Sequence, residues 1–211
     1  ARIPVYLKTD MFHGVHGRTL GWATGVKMMQ PDLPVVIFAG DGDVASIGGN
    51  HLIHAARRNL DVTVVMVNNL NFAMTGGQVA PTTPEDIKTM TTPYGSDEPR
   101  FDVCELVKAA GATHVERWTT AQPVQCKKAM ERALTHKGFS LIEIVSQCPT
   151  HFGRYALKTG DPNAVVEWIK GYTYTDAQAK KMAPEELEGK LRCGQYICVD
   201  KPVYAGTTNL M

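Results

Sequence analysis

The sequence has no excess of charge of either sign. Its 211 residues include 22 Lys and Arg against 21 Asp and Glu, so the formal net charge is only +1. Proteins that bind the phosphate backbone of nucleic acid usually carry a clear basic excess or a basic stripe. We therefore expect no nucleic-acid partner.

Long apolar runs are also absent. No window approaches the ~18 consecutive apolar residues of a transmembrane helix, and the first ten residues lack the apolar centre of a signal peptide. The cysteines are odd in number and widely spaced, which does not indicate a disulfide framework; they are Cys104, Cys126, Cys148, Cys193 and Cys198. These features predict a cytoplasmic protein with reduced thiols and no membrane insertion. The chain begins at Ala1 rather than Met, so the question of an upstream segment stays open.

Short apolar runs alternate with segments of helical periodicity along most of the chain. Such alternation predicts an α/β fold, with a mostly parallel sheet and helices on both faces, followed by an irregular C-terminal tail. We assign residues 1–155 to one domain and residues 156–211 to an extension that packs on a partner subunit. The predicted strands are 35–39, 61–67, 113–118 and 139–145, and the predicted helices are 18–30, 46–59, 101–110 and 122–137.

The strongest chemical signal is the turn Gly40-Asp41-Gly42-Asp43, which follows the first predicted strand. Ligands of open α/β sheets bind at this edge. The glycines let the backbone approach a bulky anion, the next helix offers free N–H groups, and Asp41 supplies a hard oxygen ligand. A carboxylate beside a phosphate group requires a cation between them, so the turn predicts a metal–phosphate site.

Two other interpretations of this turn stay open. Gly40, Gly42 and Ala45 match the spacing of the dinucleotide-binding fingerprint. Asp41 would repel a bare pyrophosphate, however, and the second strand ends in Asn68-Asn69 rather than in the acidic residue that binds a ribose hydroxyl. The glycines are also compatible with a purely structural turn.

The pair Asn68-Asn69 offers neutral oxygen ligands at the end of the neighbouring strand. The 25 residues between Gly42 and Asn68 are enough for one helix and one strand. Two adjacent parallel strands would then present Asp41 and an asparagine amide oxygen to one ion, an arrangement that suits Mg²⁺ completed by phosphates and water. Taken alone, such a pair at a strand end is more often turn chemistry.

The spacing of these two motifs resembles that of the thiamine-diphosphate motif. The longer run GDGDVASIGGNHLIHAARRNLDVTVVMVNNLNFAMTGGQVAPTTP, with TTPYG and CPTHFGR after it, resembles the β subunit of 2-oxoacid:ferredoxin oxidoreductases. The resemblance covers residues 1–155, including FHGVHGR at 12–18. The tail KMAPEELEGKL resembles that of the 2-oxoglutarate enzyme. The fold that this implies is the pyrophosphate-binding domain of the thiamine-diphosphate-binding fold.

The resemblance implies roles for individual residues. Asp41, the side chain of Asn69 and the backbone carbonyl of Asn71 would bind Mg²⁺, which holds the diphosphate of the cofactor. Arg2 would lie near the carboxylate of the 2-oxoacid, although a solvated surface charge is an equal alternative for it, and His16 would approach the cofactor. The residues expected to line the diphosphate turn, the thiazolium and the incoming substrate are Gly40, Gly42, Asp43, Met74, Thr75, Gly76, Gly77 and Gln78.

An iron-sulfur ligand is implied as well. Cys148 matches the last ligand of the 4Fe-4S cluster that members with this domain carry. The other ligands of the family, including a CxxC pair, lie before the segment that begins at Ala1, and Cys193 and Cys198 are interpreted as ordinary core or interface thiols. A thiolate cluster normally needs four ligands. The remaining ligands are therefore not in this chain, and the alternative that the cluster is absent stays open.

The resemblance implies the oxidative decarboxylation of a 2-oxoacid to acyl-CoA and CO₂, with electrons passed through iron-sulfur clusters to ferredoxin. The reverse reaction would fix CO₂. The expected partners are coenzyme A, ferredoxin or a ferredoxin-like subunit, and an α subunit whose pyrimidine-binding domain completes the site in a hetero-oligomer. 2-Oxoglutarate is favoured as the substrate, with pyruvate or a branched-chain 2-oxoacid as alternatives. A non-redox thiamine-diphosphate decarboxylase or synthase and a non-catalytic scaffold subunit are the rival functions.

Overall fold

In the computed structural model, which describes residue 3 and residues 6–204, six strands form a single sheet. Along the sheet the strands follow the order β1-β2-β4-β3-β6-β5. The first four are mutually parallel, β6 runs antiparallel to β3, and β5 runs parallel to β6. The predicted fold class, a mostly parallel α/β sheet, is confirmed. The strands are β1 (Val36–Gly40), β2 (Thr63–Asn68), β3 (His114–Thr119), β4 (Ser140–Val145), β5 (Thr173–Thr175) and β6 (Leu191–Cys198).

The helices fall between the strands much as predicted, with one local difference. Residues Gly42–Ile47, directly after β1, form a π-helical segment, so the helix expected over 46–59 begins later. A second π-helical segment, Pro149–Gly153, follows β4. The α-helices are α1 (Thr19–Met29), α2 (Gly49–Arg57), α3 (Val103–Ala110), α4 (Pro123–Thr135), α5 (Arg154–Ala156), α6 (Pro162–Tyr172), α7 (Asp176–Ala179) and α8 (Pro184–Leu187).

The alternation of side chains along β2 shows that helices cover both faces of the sheet. Val64 and Met66 belong to the main apolar core, which also includes buried residues of α1, α2 and α3. Thr63 points to the opposite face, where its hydroxyl donates to the carbonyl of Ala133 in α4 at 3.1 Å. Successive side chains of a strand point to opposite faces, so α4 lies across the sheet from α2 and α3.

The outermost strand β1 is covered less well than β2. Val36 and Phe38 alternate with buried neighbours and are 38% and 39% exposed. Strand β2, by contrast, pairs on both sides and is buried along most of its length. One hydrogen-bonding edge of β1 therefore has no strand partner among the described residues.

The chain beyond Pro149 is more regular than the sequence pattern indicates. Val165 and Ile169 of α6 pack against a second apolar cluster that contains Val145 and Phe152. Strand β6 joins the sheet beside β3, with a shift in register between Val115 and Glu116 that interrupts the simple alternation of a strand. The described part of the extension thus packs on its own domain. Its contact with a partner subunit stays a prediction.

No helix in the described part of the chain has both the length and the apolar character needed to cross a membrane.

Candidate functional site

The ends of β1 and β2 place the two predicted motifs side by side. The strands are parallel neighbours, and Gly40 lies opposite Val67 in the register. Asp41 follows the last residue of β1, and Asn69 follows the last residue of β2. The expectation that two adjacent parallel strands present an aspartate and an asparagine at one edge is confirmed.

Three oxygen atoms converge at this edge. Oδ1 of Asn69 lies 3.2 Å from Oδ1 of Asp41 and 2.6 Å from the backbone carbonyl oxygen of Asn71. All three are acceptors in this orientation, so an amide turned by 180°, which donates to both neighbours, is favoured unless a cation lies between the oxygens. Octahedral Mg²⁺ with oxygens at 2.0–2.1 Å sets adjacent ligand oxygens about 2.9 Å apart. Both distances from Oδ1 of Asn69 are therefore compatible with neighbouring ligands in a Mg²⁺ coordination shell.

Asp41 is a buried carboxylate that forms no ion pair with any residue that the structure describes. Its exposed fraction is only 2%. Burial raises its pKa to about 6, and the groups that oppose this rise are all neutral, chiefly the Thr82 hydroxyl and nearby backbone amides. The hydroxyl of Thr82 donates to Oδ2 at 2.5 Å, which leaves Oδ1 facing Asn69. A cation at Oδ1 would stabilise the charge that burial penalises.

The turn after β2 is held by side-chain hydrogen bonds. Oδ1 of Asn68 accepts from the backbone N–H of Leu70 at 3.0 Å, and Leu70 has the left-handed φ of 64°. The amide of Asn71 donates to the carbonyl of Asn69 at 2.8 Å, and Thr83 donates to the carbonyl of Leu70 at 2.8 Å. The two asparagines therefore have different roles. Asn68 stabilises the turn, and Asn69 faces Asp41.

Gly40 and Gly42 differ in what surrounds them. Among the described residues, a Cβ at Gly40 would meet only the carbonyl oxygen of Val67, at 4.0 Å, so this part of the backbone has space for a ligand. At Gly42 the ring of Phe72 occupies the place of the missing side chain, with three ring atoms within 2.9 Å of an added Cβ. Gly42 is therefore required for packing inside this chain, whereas Gly40 leaves free space.

Replacing Gly42 with alanine is expected to destabilise the protein by about 1–3 kcal/mol, because the new methyl group must displace the Phe72 ring. Thermal unfolding measures the effect. Gly25→Ala is the matched control, since Gly25 lies in α1 with nothing within 4 Å of an added Cβ, and a helical Gly→Ala change stabilises by roughly 0.5–1 kcal/mol. Equal midpoints for the two variants would contradict this packing.

The carboxylate of Asp43 contacts the segment before α1. Its Oδ1 accepts a hydrogen bond from the backbone N–H of Gly17 and lies 3.4 Å from Nδ1 of His16. The ring of His16 remains half exposed and lies 6.2 Å from the ring of Phe72, centroid to centroid. The structure thus brings His16 near the Phe72 ring that packs on Gly42. The role of Asp43 in lining a diphosphate stays a prediction.

Residues 72–78 form a tight hairpin just beyond the turn of Asn69 and Asn71. Phe72 and Gln78 exchange backbone contacts, with Phe72 N–H donating to the carbonyl of Gln78 at 3.0 Å. Thr75 donates to the Gln78 side chain at 2.6 Å, and Met74 is 83% exposed at the tip. Gly77 has a φ of 93°, and a Cβ there would lie 2.8 Å from His151. The predicted Met74–Gln78 segment therefore presents Met74 to solvent.

Two remaining predicted residues have different outcomes. Cys148 is buried, and its Sγ lies 3.9 Å from Oδ1 of Asn71, so it adjoins the three-oxygen turn. No group of three or more His, Cys, Asp or Glu side chains suited to a metal occurs in residues 6–204 or at residue 3. Arg2 lies outside the described residues.

Sequence reasoning missed Thr82, whose hydroxyl directs the carboxylate of Asp41. The only available signal was its place in the threonine- and proline-rich loop after the glycines, since the contact joins residues 41 positions apart. The buried partners of Asn68 were missed as well.

The chain is similar to proteins of known class. The profile of the thiamine pyrophosphate enzyme, C-terminal TPP binding domain, matches residues 2–144. The chain therefore belongs to this class of thiamine-diphosphate-dependent enzymes.

Individual relatives identify the family within this class of enzymes. The chain is 47% identical to the 2-oxoglutarate synthase subunit KorB of Methanocaldococcus jannaschii, over 97% of this chain and 75% of the relative. It is 49% identical to the KorB subunit of Methanothermobacter marburgensis, over 96% of this chain and 70% of the relative. Within the class it therefore belongs to the KorB family of 2-oxoacid:ferredoxin oxidoreductase subunits, and the resemblance is confirmed.

A solved structure supports the same family. The 2-oxoglutarate:ferredoxin oxidoreductase from Magnetococcus marinus, with 2-oxoglutarate, coenzyme A and succinyl-CoA bound, superposes with a TM-score of 0.82. It is 30% identical in sequence, and the match covers 97% of this chain and 70% of that chain. The predicted class of enzyme, a thiamine-diphosphate-dependent oxidoreductase, is thus confirmed.

Proposed function

We propose that this chain, together with a partner α subunit, oxidises 2-oxoglutarate and coenzyme A to succinyl-CoA and CO₂ and passes two electrons to ferredoxin. The observation that carries the proposal is the convergence of the Asp41, Asn69 and Asn71 oxygens at the edge where α/β sheets bind ligands. The names of its relatives supply the substrate, because several are 2-oxoglutarate enzymes. They favour 2-oxoglutarate over pyruvate and branched-chain 2-oxoacids.

Mg²⁺ would be held by Oδ1 of Asp41, Oδ1 of Asn69 and the carbonyl of Asn71, leaving positions for phosphate oxygens and water. Thr82 donates to the second carboxylate oxygen of Asp41, which would leave Oδ1 free to hold the metal. The open backbone of Gly40 lets a diphosphate approach closely. Bound thiamine diphosphate supplies the electron sink for decarboxylation.

The other predicted site residues would act on the substrate side. His16, held beside Asp43, is half exposed and Met74 is exposed at the hairpin tip, so both side chains are accessible to a substrate. Arg2 is proposed to bind the carboxylate of the 2-oxoacid. These roles are assigned by the family resemblance.

Cys148 is proposed as one ligand of a 4Fe-4S cluster whose other ligands come from outside this chain. Its distance of 3.9 Å from Asn71 supports a cluster close to the metal turn. In the α subunit, a glutamate of the pyrimidine-binding domain would activate the cofactor, because no acidic residue of this chain is an evident activator. The active site would then lie between two chains. A cytoplasmic location stays a prediction from composition.

Purification of the native complex tests the function. We expect reduction of ferredoxin that requires both 2-oxoglutarate and coenzyme A, iron in the complex, and no turnover by this chain alone. Aldehyde formation without coenzyme A and without ferredoxin reduction would indicate a non-redox decarboxylase instead. An assembled complex that holds no thiamine diphosphate would indicate a scaffold, and full activity of the isolated chain would refute the shared site.

A further inference from the structure

Three buried polar side chains from three neighbouring strands form a continuous hydrogen-bonded line. Arg117 of β3, Glu143 of β4 and Asn68 of β2 are 0%, 1% and 2% exposed. Nε of Arg117 donates to Oε2 of Glu143 at 2.9 Å, and the amide of Asn68 donates to Oε1 of Glu143 at 2.7 Å. The line ends at the turn that carries Asn69.

The register of the sheet sets the direction of this line. Arg117 lies directly opposite Glu143, and Glu143 lies opposite Met66. Asn68 is therefore the diagonal neighbour of Glu143, two residues towards the carboxyl edge of the sheet. Diagonal neighbours on one face are within reach of long side chains.

Glu143 determines which way the amide of Asn68 faces. Oε2 of Glu143 is used by Arg117 and by the thiol of Cys104 at 3.1 Å, so Oε1 is the acceptor left for Asn68. With its nitrogen bound to Glu143, Asn68 turns its Oδ1 to the backbone N–H of Leu70. That bond stabilises the left-handed conformation of Leu70, which separates Asn69 from Asn71.

Stability alone does not explain such a line, because a well-packed apolar replacement of a buried ion pair is often equally stable. We propose that Glu143 is a positioning residue for the metal site. It acts through Asn68 and fixes the turn that brings the oxygens of Asn69 and Asn71 towards Asp41. This inference rests on the proposed function, since it presumes Mg²⁺ at those oxygens.

The test exchanges donor and acceptor between the two side chains in the assembled complex. In Glu143→Gln the new amide cannot accept from both Arg117 and Asn68, so the turn loses its anchor. We expect the Mg²⁺ concentration for half-maximal retention of thiamine diphosphate to rise about 10–100-fold, the usual loss for a residue that orients a ligand. The signal of bound Mn²⁺ in electron paramagnetic resonance gives a second measure.

The double variant Glu143→Gln with Asn68→Asp should recover most of this loss. The new amide then donates to the new carboxylate, which still accepts from the Leu70 N–H, and the pair keeps one negative charge. Should Glu143→Gln fail to fold, Asn68→Ala leaves the Arg117–Glu143 pair intact and is expected to raise the Mg²⁺ requirement in the same range.

Tyr196→Phe is the matched control. The Tyr196 hydroxyl accepts from Nη1 of Arg117 at 2.5 Å, away from Asn68, so its loss should lower thermal stability without changing the Mg²⁺ requirement. A rise in Glu143→Gln no larger than in Tyr196→Phe, or a folded double variant without recovery, would overturn the positioning role. Unchanged metal retention in Asp41→Ala would instead reject the metal site itself.

Discussion

Asp41→Ala is expected to abolish Mg²⁺-dependent retention of thiamine diphosphate by the assembled enzyme. The change removes the only charged group among the three converging oxygens. Residues that merely orient metal ligands contribute 10–100-fold to affinity, so loss of the ligand itself should raise the Mg²⁺ requirement by at least about 100-fold. Turnover should fall in parallel because the cofactor is lost.

The measurement is the amount of thiamine diphosphate that remains after gel filtration at a series of Mg²⁺ concentrations. Asp41→Asn keeps an oxygen at this position and loses the charge, so an intermediate requirement is expected. Asp32→Ala removes an exposed carboxylate in the turn before β1 and serves as the control. Cofactor affinity in Asp41→Ala equal to that of the control would reject the assigned role.

Arg117→Met is expected to lower the free energy of unfolding by about 3–5 kcal/mol, the usual effect of breaking a buried ion pair. Arg117 is fully buried and pairs with Glu143 at 2.9 Å and with Asp102 at 2.5 Å. Its removal leaves the carboxylate of Glu143 buried without a counter-charge. Adding Glu143→Leu removes that charge and should restore much of the stability, while the Mg²⁺ requirement stays high.

Denaturant unfolding measures this effect. Lys108→Met is a suitable control because Lys108 pairs with Glu105 at 3.0 Å on the surface, and exposed pairs contribute only ~0–1 kcal/mol. If Arg117→Met and Lys108→Met unfold at the same denaturant concentration, the buried pairs of Arg117 contribute no more to stability than the surface pair of Lys108. If the double variant Arg117→Met with Glu143→Leu recovers stability but not metal affinity, Glu143 has two separate roles, one in stability and one in positioning the metal site.

The sequence was sufficient to predict the part of the site that depends on local patterns. Asp41 and Asn69 could be placed together because each follows a buried apolar run, and parallel strands end at one edge. The π-helical segment after Gly42 could not be predicted, since the same residues also fit the start of a helix. Gly42 was correctly identified as part of the motif. The reason that glycine is required there, the contact with the ring of Phe72, was not predicted.

Contacts between distant residues account for most of what was missed. Thr82 reaches Asp41 from a long loop without periodicity. Arg117 and Glu143 lie 26 positions apart on strands whose pairing is known only from the fold. One signal was present, because a charged residue inside an otherwise apolar run such as SLIEIV requires a buried partner. The sequence could not say which residue that partner is.

The position of β1 at the end of the sheet has a consequence for catalysis. Asp41 directly follows the outermost strand β1, and among the described residues no further strand flanks β1 on its outer side. The turn that carries Asp41 is consequently at the edge of the sheet, where the proposed partner subunit could approach it without displacing a strand of this domain. A reaction chamber assembled from two chains, as proposed above, would need no internal tunnel in this one.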